Sequence, residues 1–398
     1  MKVSSRGGDE VDATGSVRAG TDNRKKEASM RSLFDTTAIK SMQLRNRLVR
    51  SATWEGMCEE DGRPTQRLID LYVALARGGI GLIVTGFAFV RPDGRQLPRK
   101  MGIHTDAFAD EFRKMTGAVH DAGGRIAIQL VHAGGQTNAA AAGRRPLAPS
   151  AVEAEQFPEV PEELSAAEIR AITAAFGDAA RRAQDWGFDA VQLHGAHGYL
   201  INQFLSPHTN RRTDEYGGGI DNRCRFLMEA YHQVRAAVGD EYPVLIKLNG
   251  ADNLPGGLVL EDAVFAARLL ARSGIDAIEV SGGTPASGKE TPVRLQIDEP
   301  GKEAYHLGSA RRIREEVSCP VMVVGGIRSF ETAEQAVDEA GMDYISMARP
   351  LIREPALANR WRGGDRRPAT CISCNGCFGP GLKEGGIYCV QEKKGARH

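Results

Sequence analysis

The sequence predicts an α/β fold, a single (β/α)₈ TIM barrel, from three observations. Eight short apolar runs recur along the chain, and most of them end in small or polar residues. Segments with helical spacing lie between these runs, and strands that alternate with helices form a parallel sheet. No Gly-x-Gly-x-x-Gly motif follows the first run. Eight such units without this motif favour a closed barrel over an open doubly wound sheet.

The predicted strands are near-continuous apolar segments, the pattern of strands that are covered on both faces. They span residues 48–53, 81–90, 125–133, 189–196, 243–250, 276–283, 320–327 and 343–350. Predicted helices between them include residues 65–78, 106–122, 165–186, 223–239, 261–273 and 329–340. Ser165 followed by Glu168 is a capping-box signature and predicts the start of the third helix. Residues 134–164, rich in Ala, Pro and Gly, predict a long loop over the barrel mouth.

Composition suggests three segments along the chain. Residues 1–30 are polar, rich in Gly and Ser and mixed in charge, which predicts a disordered leader, with Met30 as an alternative start. Residues 31–365 are expected to form the barrel, and residues 366–398 a short C-terminal cysteine-rich segment.

Charge gives no reason to expect a nucleic-acid or membrane partner, because Lys plus Arg and Asp plus Glu number 51 each. There is no run of about 20 apolar residues that could span a membrane, and the N-terminus has no apolar segment of a signal peptide. We therefore expect a cytoplasmic protein that acts on a small molecule. We also expect it to be a homo-oligomer.

The fourth predicted strand ends in the most informative cluster, His194, His197 and Tyr199. Imidazole has a pKa near neutrality and tyrosine can donate a proton, and the chemistry of such barrels lies at the C-terminal ends of the strands. The cluster is therefore suited to bind and protonate a polar ligand. The histidines also admit a metal site, but no Asp, Glu or Cys stands at suitable spacing nearby.

The seventh and eighth predicted strands end in Gly325-Gly326 and Ala348-Arg349. Loops after these two strands commonly bind phosphate in such barrels, through backbone N–H groups and a cation. The alternative is that the glycines only turn the chain and that Arg349 pairs with an acid. Both features at the expected strand ends favour a phosphate site.

Two polar side chains interrupt apolar strands. Lys247 lies in Val-Leu-Ile-Lys-Leu-Asn-Gly, where it could form a Schiff base or neutralise a delocalised anion; a surface lysine fits these neighbours poorly. Gln129 lies in Ile-Ala-Ile-Gln-Leu-Val and needs a hydrogen-bonding partner. A ligand that offers both donors and acceptors would supply one.

Four of the seven cysteines form the pattern C-x₂-C-x₂-C-x₁₁-C, namely Cys371, Cys374, Cys377 and Cys389. Disulfides are rare in the cytosol, so this spacing suits thiolate ligation of an iron–sulfur cluster or of zinc. The pattern predicts a metal site and leaves the metal open.

Taken together, the chain resembles the Old Yellow Enzyme family of FMN-dependent oxidoreductases over roughly residues 31–390. The resemblance rests on HGAHGYLINQFLSPHTNRRTDEYGGGIDNR (194–223), LFDTTAIKSMQLRNRLVRSAT (33–53) and MARPLIREP (347–355). It implies a flavin-carrying (β/α)₈ barrel in which NAD(P)H reduces FMN and an activated alkene then takes the hydride.

The resemblance also assigns roles residue by residue. His194 and His197 would hold the substrate oxygen, and Tyr199 would donate the proton. Lys247 stands where the family more often has arginine, beside the flavin N1–O2 locus, and Gln129 would bind the pyrimidine edge. The remaining cofactor contacts would be Ser51, Ala52, Thr53 and Gly86 for the flavin, and Gly325, Gly326, Ala348 and Arg349 for the phosphate.

The cysteine cluster departs from the simple ene-reductases and resembles the 2,4-dienoyl-CoA reductase and trimethylamine dehydrogenase branch, which implies a [4Fe–4S] cluster. This chain ends nine residues after Cys389, so electrons from a cluster would pass to a separate carrier protein, or the cluster would be structural. An alternative function is therefore an iron–sulfur flavoprotein dehydrogenase that oxidises an amine. A Schiff-base lyase built on Lys247 and a redox-sensing module without turnover also stay open.

Overall fold

The computed structural model describes residues 31–154 and 156–395, so the leader predicted for residues 1–30 lies outside the described residues. Eight parallel strands close into a barrel, because each strand pairs with the next along the chain and the last pairs with the first. The predicted TIM barrel is confirmed. Its strands are β1 (Leu48–Arg50), β2 (Leu82–Val84), β3 (Ile126–Val131), β4 (Ala190–Gly195), β5 (Val244–Asn249), β6 (Ala277–Ser281), β7 (Val321–Val324) and β8 (Tyr344–Met347).

One principal helix follows each strand and covers the outside of the barrel. The helices are α1 (Gln66–Arg77), α2 (Ala109–Asp121), α3 (Ala166–Asp185), α4 (Arg225–Val238), α5 (Leu260–Arg272), α6 (Leu307–Arg314), α7 (Phe330–Asp338) and α8 (Leu357–Arg362). The capping box at Ser165 and Glu168 is present at the start of α3. Helices α6 and α8 add to the predicted set; α6 is short and buries only Ala310 and Ile313, so its apolar period is weak.

An antiparallel hairpin, Thr37–Ile39 with Met42–Leu44, closes the end of the barrel at which the strands begin. Its apolar side chains pack against the first inward residues of the strands. The sequence did not predict this hairpin, because each of its strands has only three residues. The packed layer comprises Ile39, Met42, Leu44, Val49, Leu82, Val84, Ala127, Ala190, Leu245, Ala277, Met322 and Tyr344.

Alternation along the strands places a second layer two residues further on, still inside the barrel. Ala127, Ala190, Leu245 and Ala277 belong to the apolar layer. Two residues later on the same four strands stand buried polar side chains, Gln129, Gln192, Lys247 and Glu279. The barrel interior is therefore apolar at its closed end and polar towards the C-terminal ends of the strands.

The loops at the C-terminal ends carry additional short elements. The predicted loop 134–164 contains a short helix, Ala139–Ala142, and a parallel ribbon of Leu147–Ala148 with Glu162–Glu163. Further elements are the strand Ala88–Phe89, the 3₁₀ turns Pro92–Gly94, Asp106–Phe108, Gly288–Glu290 and Pro300–Lys302, and the helices Leu200–Leu205, Ile220–Arg223, Arg349–Arg353, Phe378–Lys383 and Val390–Gly395. Across residues 31–154 and 156–395, none of the helices has both the length and the apolar character needed to cross a bilayer.

Candidate active site

The main cavity opens at the C-terminal ends of the strands and has a volume of about 550 Å³, within the range of about 300–1,000 Å³ typical of cofactor sites. Nine of the predicted site residues line it: Ser51, Ala52, Thr53, His197, Tyr199, Lys247, Gly326, Ala348 and Arg349. Four others, Gly86, Gln129, His194 and Gly325, are absent from its lining.

A buried chain of polar side chains runs across the barrel below this cavity. Gln129 Nε2 donates to Gln192 Oε1 (2.7 Å), and Gln192 Nε2 donates to Glu279 Oε2 (2.8 Å). Ser51 Oγ donates to Glu279 Oε1 (2.6 Å) and accepts from Lys247 Nζ (2.7 Å). Strand register explains the order, because Gln129 pairs with Gln192 and Lys247 pairs with Glu279 on neighbouring strands.

Lys247 is buried in this network, so a surface position is excluded. Its ammonium lies 3.4 Å from the Glu279 carboxylate. Burial lowers the pKa of Lys247, and the opposing carboxylate of Glu279 offsets only part of this shift. An ammonium held by Ser51 and Glu279 at the cavity wall is placed to neutralise a bound anion.

Two buried oxygens support a bound aromatic cofactor. Gln129 Oε1 has no hydrogen-bonding partner among the described residues, and neither has Ser346 Oγ, which lines the cavity. Buried polar atoms are nearly always satisfied, and a flavin ring offers the donors that these oxygens need. These two acceptors, together with the Lys247 side chain, therefore fit FMN.

His194 and His197 come from the end of β4 and the turn after it. Their ring centroids are 5.1 Å apart. The left-handed backbone of His197, with φ of 61°, turns its ring towards Ser281, whose Oγ lies 2.7 Å from His197 Nε2. Asn249 Oδ1 accepts from the His197 backbone N–H (3.2 Å) and holds the turn in place.

Both imidazoles are neutral at ordinary pH. Burial lowers the pKa of His194 and of His197 well below the usual value, and nearby cations such as Lys247 lower it further. His194 Nδ1 accepts from the Ala196 backbone N–H (3.3 Å), so its proton is on Nε2. The metal interpretation gains no support, because no group of three or more His, Cys, Asp or Glu side chains in the described part of the chain is arranged to hold a metal ion.

Tyr199 lies against His194, with ring centroids 4.6 Å apart. Its hydroxyl donates to Gln96 Oε1 (2.8 Å), and burial raises its pKa. The partly buried Phe87 packs against both rings, 5.3 Å from Tyr199 and 5.8 Å from His194. Phe87 and Gln96 line the cavity but were not predicted as site residues. Phe87 lies within the predicted strand 81–90, which in the structure is interrupted after Val84, and Gln96 lies in the irregular loop beyond it.

The predicted phosphate end of the cavity is built from Gly326, Ala348 and Arg349, with Arg328 as an additional cation. Gly325 and Gly326 have φ of 145° and 74°, and a Cβ on Gly326 would lie 2.7 Å from the Tyr305 ring. These glycines therefore leave room for Tyr305. Arg328 directly follows the Gly-Gly-Ile turn, a signal that was available in the sequence.

Gly86 is fixed by a buried ion pair beneath β2. Arg50 Nη2 donates to Glu55 Oε1 (2.7 Å), and the same carboxylate accepts from the Gly86 backbone N–H (3.0 Å) and from Tyr72 Oη (2.7 Å). A Cβ on Gly86 would lie 2.0 Å from Glu55. Packing against Glu55 thus explains this glycine without any ligand.

The four C-terminal cysteines line one small cavity of about 20 Å³ together with Arg349. The backbone N–H of Gly376 lowers the pKa of the Cys374 thiol, whereas burial raises the pKa of Cys371 and, to about 11, that of Cys377. Four cysteines that line one cavity are of the residue type that binds an iron–sulfur cluster or zinc. Their arrangement within residues 31–154 and 156–395 is not that of a formed metal site.

The cysteine-rich segment also forms part of the main cavity. Ser373, Phe378 and Leu382 line it. Arg349 Nη1 donates to Asn375 Oδ1 (2.7 Å), between two of the cysteines, and to the carbonyl of Arg294 (2.7 Å). The segment predicted as a separate extension therefore contributes to the wall of the site.

A (β/α)₈ barrel with a buried lysine, two unsatisfied buried oxygens and a His–His–Tyr cluster at the C-terminal end of β4 defines a flavin-dependent oxidoreductase. The chain belongs to the NADH:flavin oxidoreductase / NADH oxidase family, which it matches over residues 32–366. The resemblance to Old Yellow Enzyme is thereby confirmed.

Named relatives agree with this assignment. The chain is 38% identical over 353 residues to the NADH oxidase of Thermoanaerobacter brockii, covering 87% of this chain and 53% of that protein. A solved 2-naphthoyl-CoA reductase complex superposes with a TM-score of 0.83 at 26% identity, over 90% of this chain and 56% of that one. The Old Yellow Enzyme homologue from Zymomonas mobilis has a TM-score of 0.74 at 29% identity, over 86% and 96%. The chain thus spans about half the length of the first curated relatives it matches.

Proposed function

We propose that this protein is an FMN-dependent NAD(P)H oxidoreductase that reduces an electron-poor C=C bond, with Tyr199 as the proton donor. The observation that carries the proposal is the buried polar layer at the cavity floor. Lys247 supplies a cation there, and the unsatisfied Gln129 Oε1 supplies an acceptor. The family match supports FMN as the cofactor.

FMN, when bound, supplies the hydride chemistry, taking two electrons from NADH or NADPH and giving them to an acceptor. The chain would hold its ring through Gln129 and Lys247, and its phosphate through Gly326, Ala348 and Arg349. The Lys247 ammonium, fixed by Ser51 and Glu279, would favour negative charge on the neighbouring ligand atoms.

The substrate oxygen would be held by the neutral imidazoles of His197 and His194, which donate hydrogen bonds and polarise the conjugated alkene. His197 lines the cavity, whereas His194 packs against Phe87 and Tyr199. Tyr199 also lines the cavity and would give its proton to the substrate α-carbon. Gln96 orients the phenol through its hydrogen bond.

The two half-reactions test these roles separately. We expect Tyr199→Phe to slow reoxidation by 2-cyclohexenone by about 100-fold, since general acid catalysis contributes roughly 10²–10⁴-fold, and to leave flavin reduction by NADH or NADPH nearly unchanged. Tyr231→Phe is the matched control, because Tyr231 lies on α4 and bonds to the Ser273 carbonyl. Equal losses in both half-reactions would contradict the proton-donor role.

A second candidate, an iron–sulfur flavoprotein dehydrogenase that passes electrons from an amine to a carrier protein, is favoured by the cysteines. All four line one cavity that includes Arg349, the candidate phosphate ligand, so a cluster there would lie beside the cofactor. We expect anaerobically purified protein to contain about four irons per chain.

Substitution distinguishes a cluster from adventitious metal. Cys377→Ser should abolish the iron content, whereas Cys319→Ser, a buried thiol far from the segment in sequence, should retain it. Zinc in place of iron would assign a structural role. An iron-loaded protein that reduces enones but oxidises no amine would leave the first function standing and remove the second.

A further inference from the structure

Lys100 is a buried lysine that the function described so far does not use. It lies in the segment between β2 and α2. This segment is fixed next to Lys100, because the carbonyl of Met101 accepts from the backbone N–H of Phe89 (3.0 Å). Its side chain is 0% exposed, and its Nζ has no hydrogen-bonding partner among the described residues.

Two aromatic rings surround this ammonium. Lys100 Nζ lies 4.1 Å from the centroid of the Phe87 ring and 5.3 Å from that of the Tyr199 ring. Both distances fall within the roughly 6 Å over which a cation is attracted to an aromatic face. Lys100 therefore lies over the ring of the proposed proton donor.

The titratable groups that face Lys100 include no carboxylate in contact with it. His194 and His132 are close enough for its charge to lower their pKa values. The Asp93 carboxylate is already paired with other groups: its Oδ1 lies 3.2 Å from His132 Nε2, and its Oδ2 accepts from Arg91 Nη2. Burial without a counter-ion lowers the pKa of Lys100 well below its ordinary value. Its positive charge is therefore favoured only when a negative charge forms beside it.

We propose that Lys100 is a positioning residue that stabilises the phenolate formed when Tyr199 gives its proton to the substrate. This inference rests on the proposed function. The O–H bond of Tyr199 breaks as a C–H bond forms at the substrate α-carbon, and the negative charge left on the phenolate faces the Lys100 ammonium. The phenolate then recovers a proton from water.

The charge on Tyr199 explains why a cation is placed there. A neutral phenol attracts the ammonium only through its quadrupole, whereas a phenolate ring adds a full negative charge, in a site where burial raises the pKa of Tyr199. The interaction is thus stronger after proton transfer than before, which is the condition for accelerating a step.

The test compares Lys100→Met and Lys100→Arg with Lys114→Met, an exposed lysine on α2. We expect Lys100→Met to slow reoxidation by 2-cyclohexenone about tenfold, as is typical of losing one such interaction, and to abolish any fall in this rate as the pH is raised. Lys100→Arg should retain most of the rate. Reduction of p-benzoquinone, in which only oxygen is protonated, should stay unchanged in all three variants.

Three results would overturn the inference: equal enone rates in Lys100→Met and the parent, equal losses with enone and quinone, or a loss that is additive with that of Tyr199→Phe in the double variant. The thermal unfolding temperature of Lys100→Met should not be lower than that of the parent. A lower temperature would show that the variant is misfolded. If Tyr199→Phe itself leaves the enone rate intact, the proton-donor proposal fails. If Tyr199→Phe slows the enone reaction but Lys100→Met does not, the positioning role of Lys100 fails and the proton-donor role of Tyr199 stands.

Discussion

Lys247 and Glu279 occupy paired positions on β5 and β6, and their charged groups lie 3.4 Å apart without access to solvent. Removing one partner of such a pair leaves an uncompensated buried charge, which costs about 3–5 kcal/mol. We expect Lys247→Met to lower the free energy of unfolding by this amount.

The double variant Lys247→Met/Glu279→Gln tests the coupling. It should be more stable than Lys247→Met alone, because the unpaired carboxylate is removed. Urea unfolding of the flavin-free proteins measures this effect without any contribution from the cofactor. Additive losses in the double variant would show that the two charges do not stabilise one another.

Gln129 supplies a test of the ring-binding role. We expect Gln129→Leu to weaken the binding of FMN and of riboflavin equally, by about tenfold, the cost of one hydrogen bond to a buried group. Fluorescence titration of the flavin-free protein measures both dissociation constants. Unchanged affinities would show that the unsatisfied Oε1 does not contact the flavin.

Arg349 supplies the complementary test at the phosphate. Arg349→Met should weaken FMN binding by about thirtyfold, as expected for a charge-assisted hydrogen bond of roughly 2 kcal/mol, and should leave riboflavin binding unchanged. Asn375→Ala, which removes an acceptor of Arg349, should act in the same direction with a smaller effect. Equal losses for both flavins would assign Arg349 to packing rather than to phosphate.

Stability should depend on pH through the buried histidines. Burial lowers the pKa of His132, His194 and His197, and that of His306 to about 3. The unfolded chain, with histidine pKa values near 6.5, therefore binds more protons, and stability falls as the pH drops below about 6.5. Each such histidine contributes about 1.4 kcal/mol per pH unit there.

His120 acts in the opposite sense, because its bond to Asp189 raises its pKa, so its contribution is present at low pH and is lost as the pH rises. Five histidines with a lowered pKa, the four named above and His104, outweigh this one. We expect urea unfolding to give a steep fall in stability from about pH 6.5 towards pH 5, with a smaller slope in His306→Gln. Equal stability at pH 8 and pH 5 would contradict the burial of these imidazoles.

Polar residues inside apolar strands were the sequence signal that located the cavity floor. Lys247 and Gln129 were identified in this way, and Gln192 and Glu279 carry the same signal in Ala-Val-Gln-Leu and Ala-Ile-Glu-Val. Their mutual bonds depend on strand register, which a single sequence does not specify. The barrel itself was predictable because eight apolar runs and the helices between them repeat regularly.

Site residues in irregular loops could not be predicted from such a pattern. Gln96 and Lys100 follow β2 in a stretch without periodicity, and only the folded chain brings them to Tyr199. Phe378 and Leu382 lie far along the sequence, yet they complete the cavity wall.

Closure of the barrel joins its first strand to its last. Leu48 on β1 pairs with Ile345 on β8, and Arg31 forms an ion pair with Asp343 at 2.9 Å. During synthesis β1 must therefore wait, with one edge unpaired, until almost the whole barrel sequence has been made. Contacts of such large sequence separation form slowly, and open strand edges are sites of aggregation. The step at which this protein is most exposed to misassembly is the final joining of its last strand to its first.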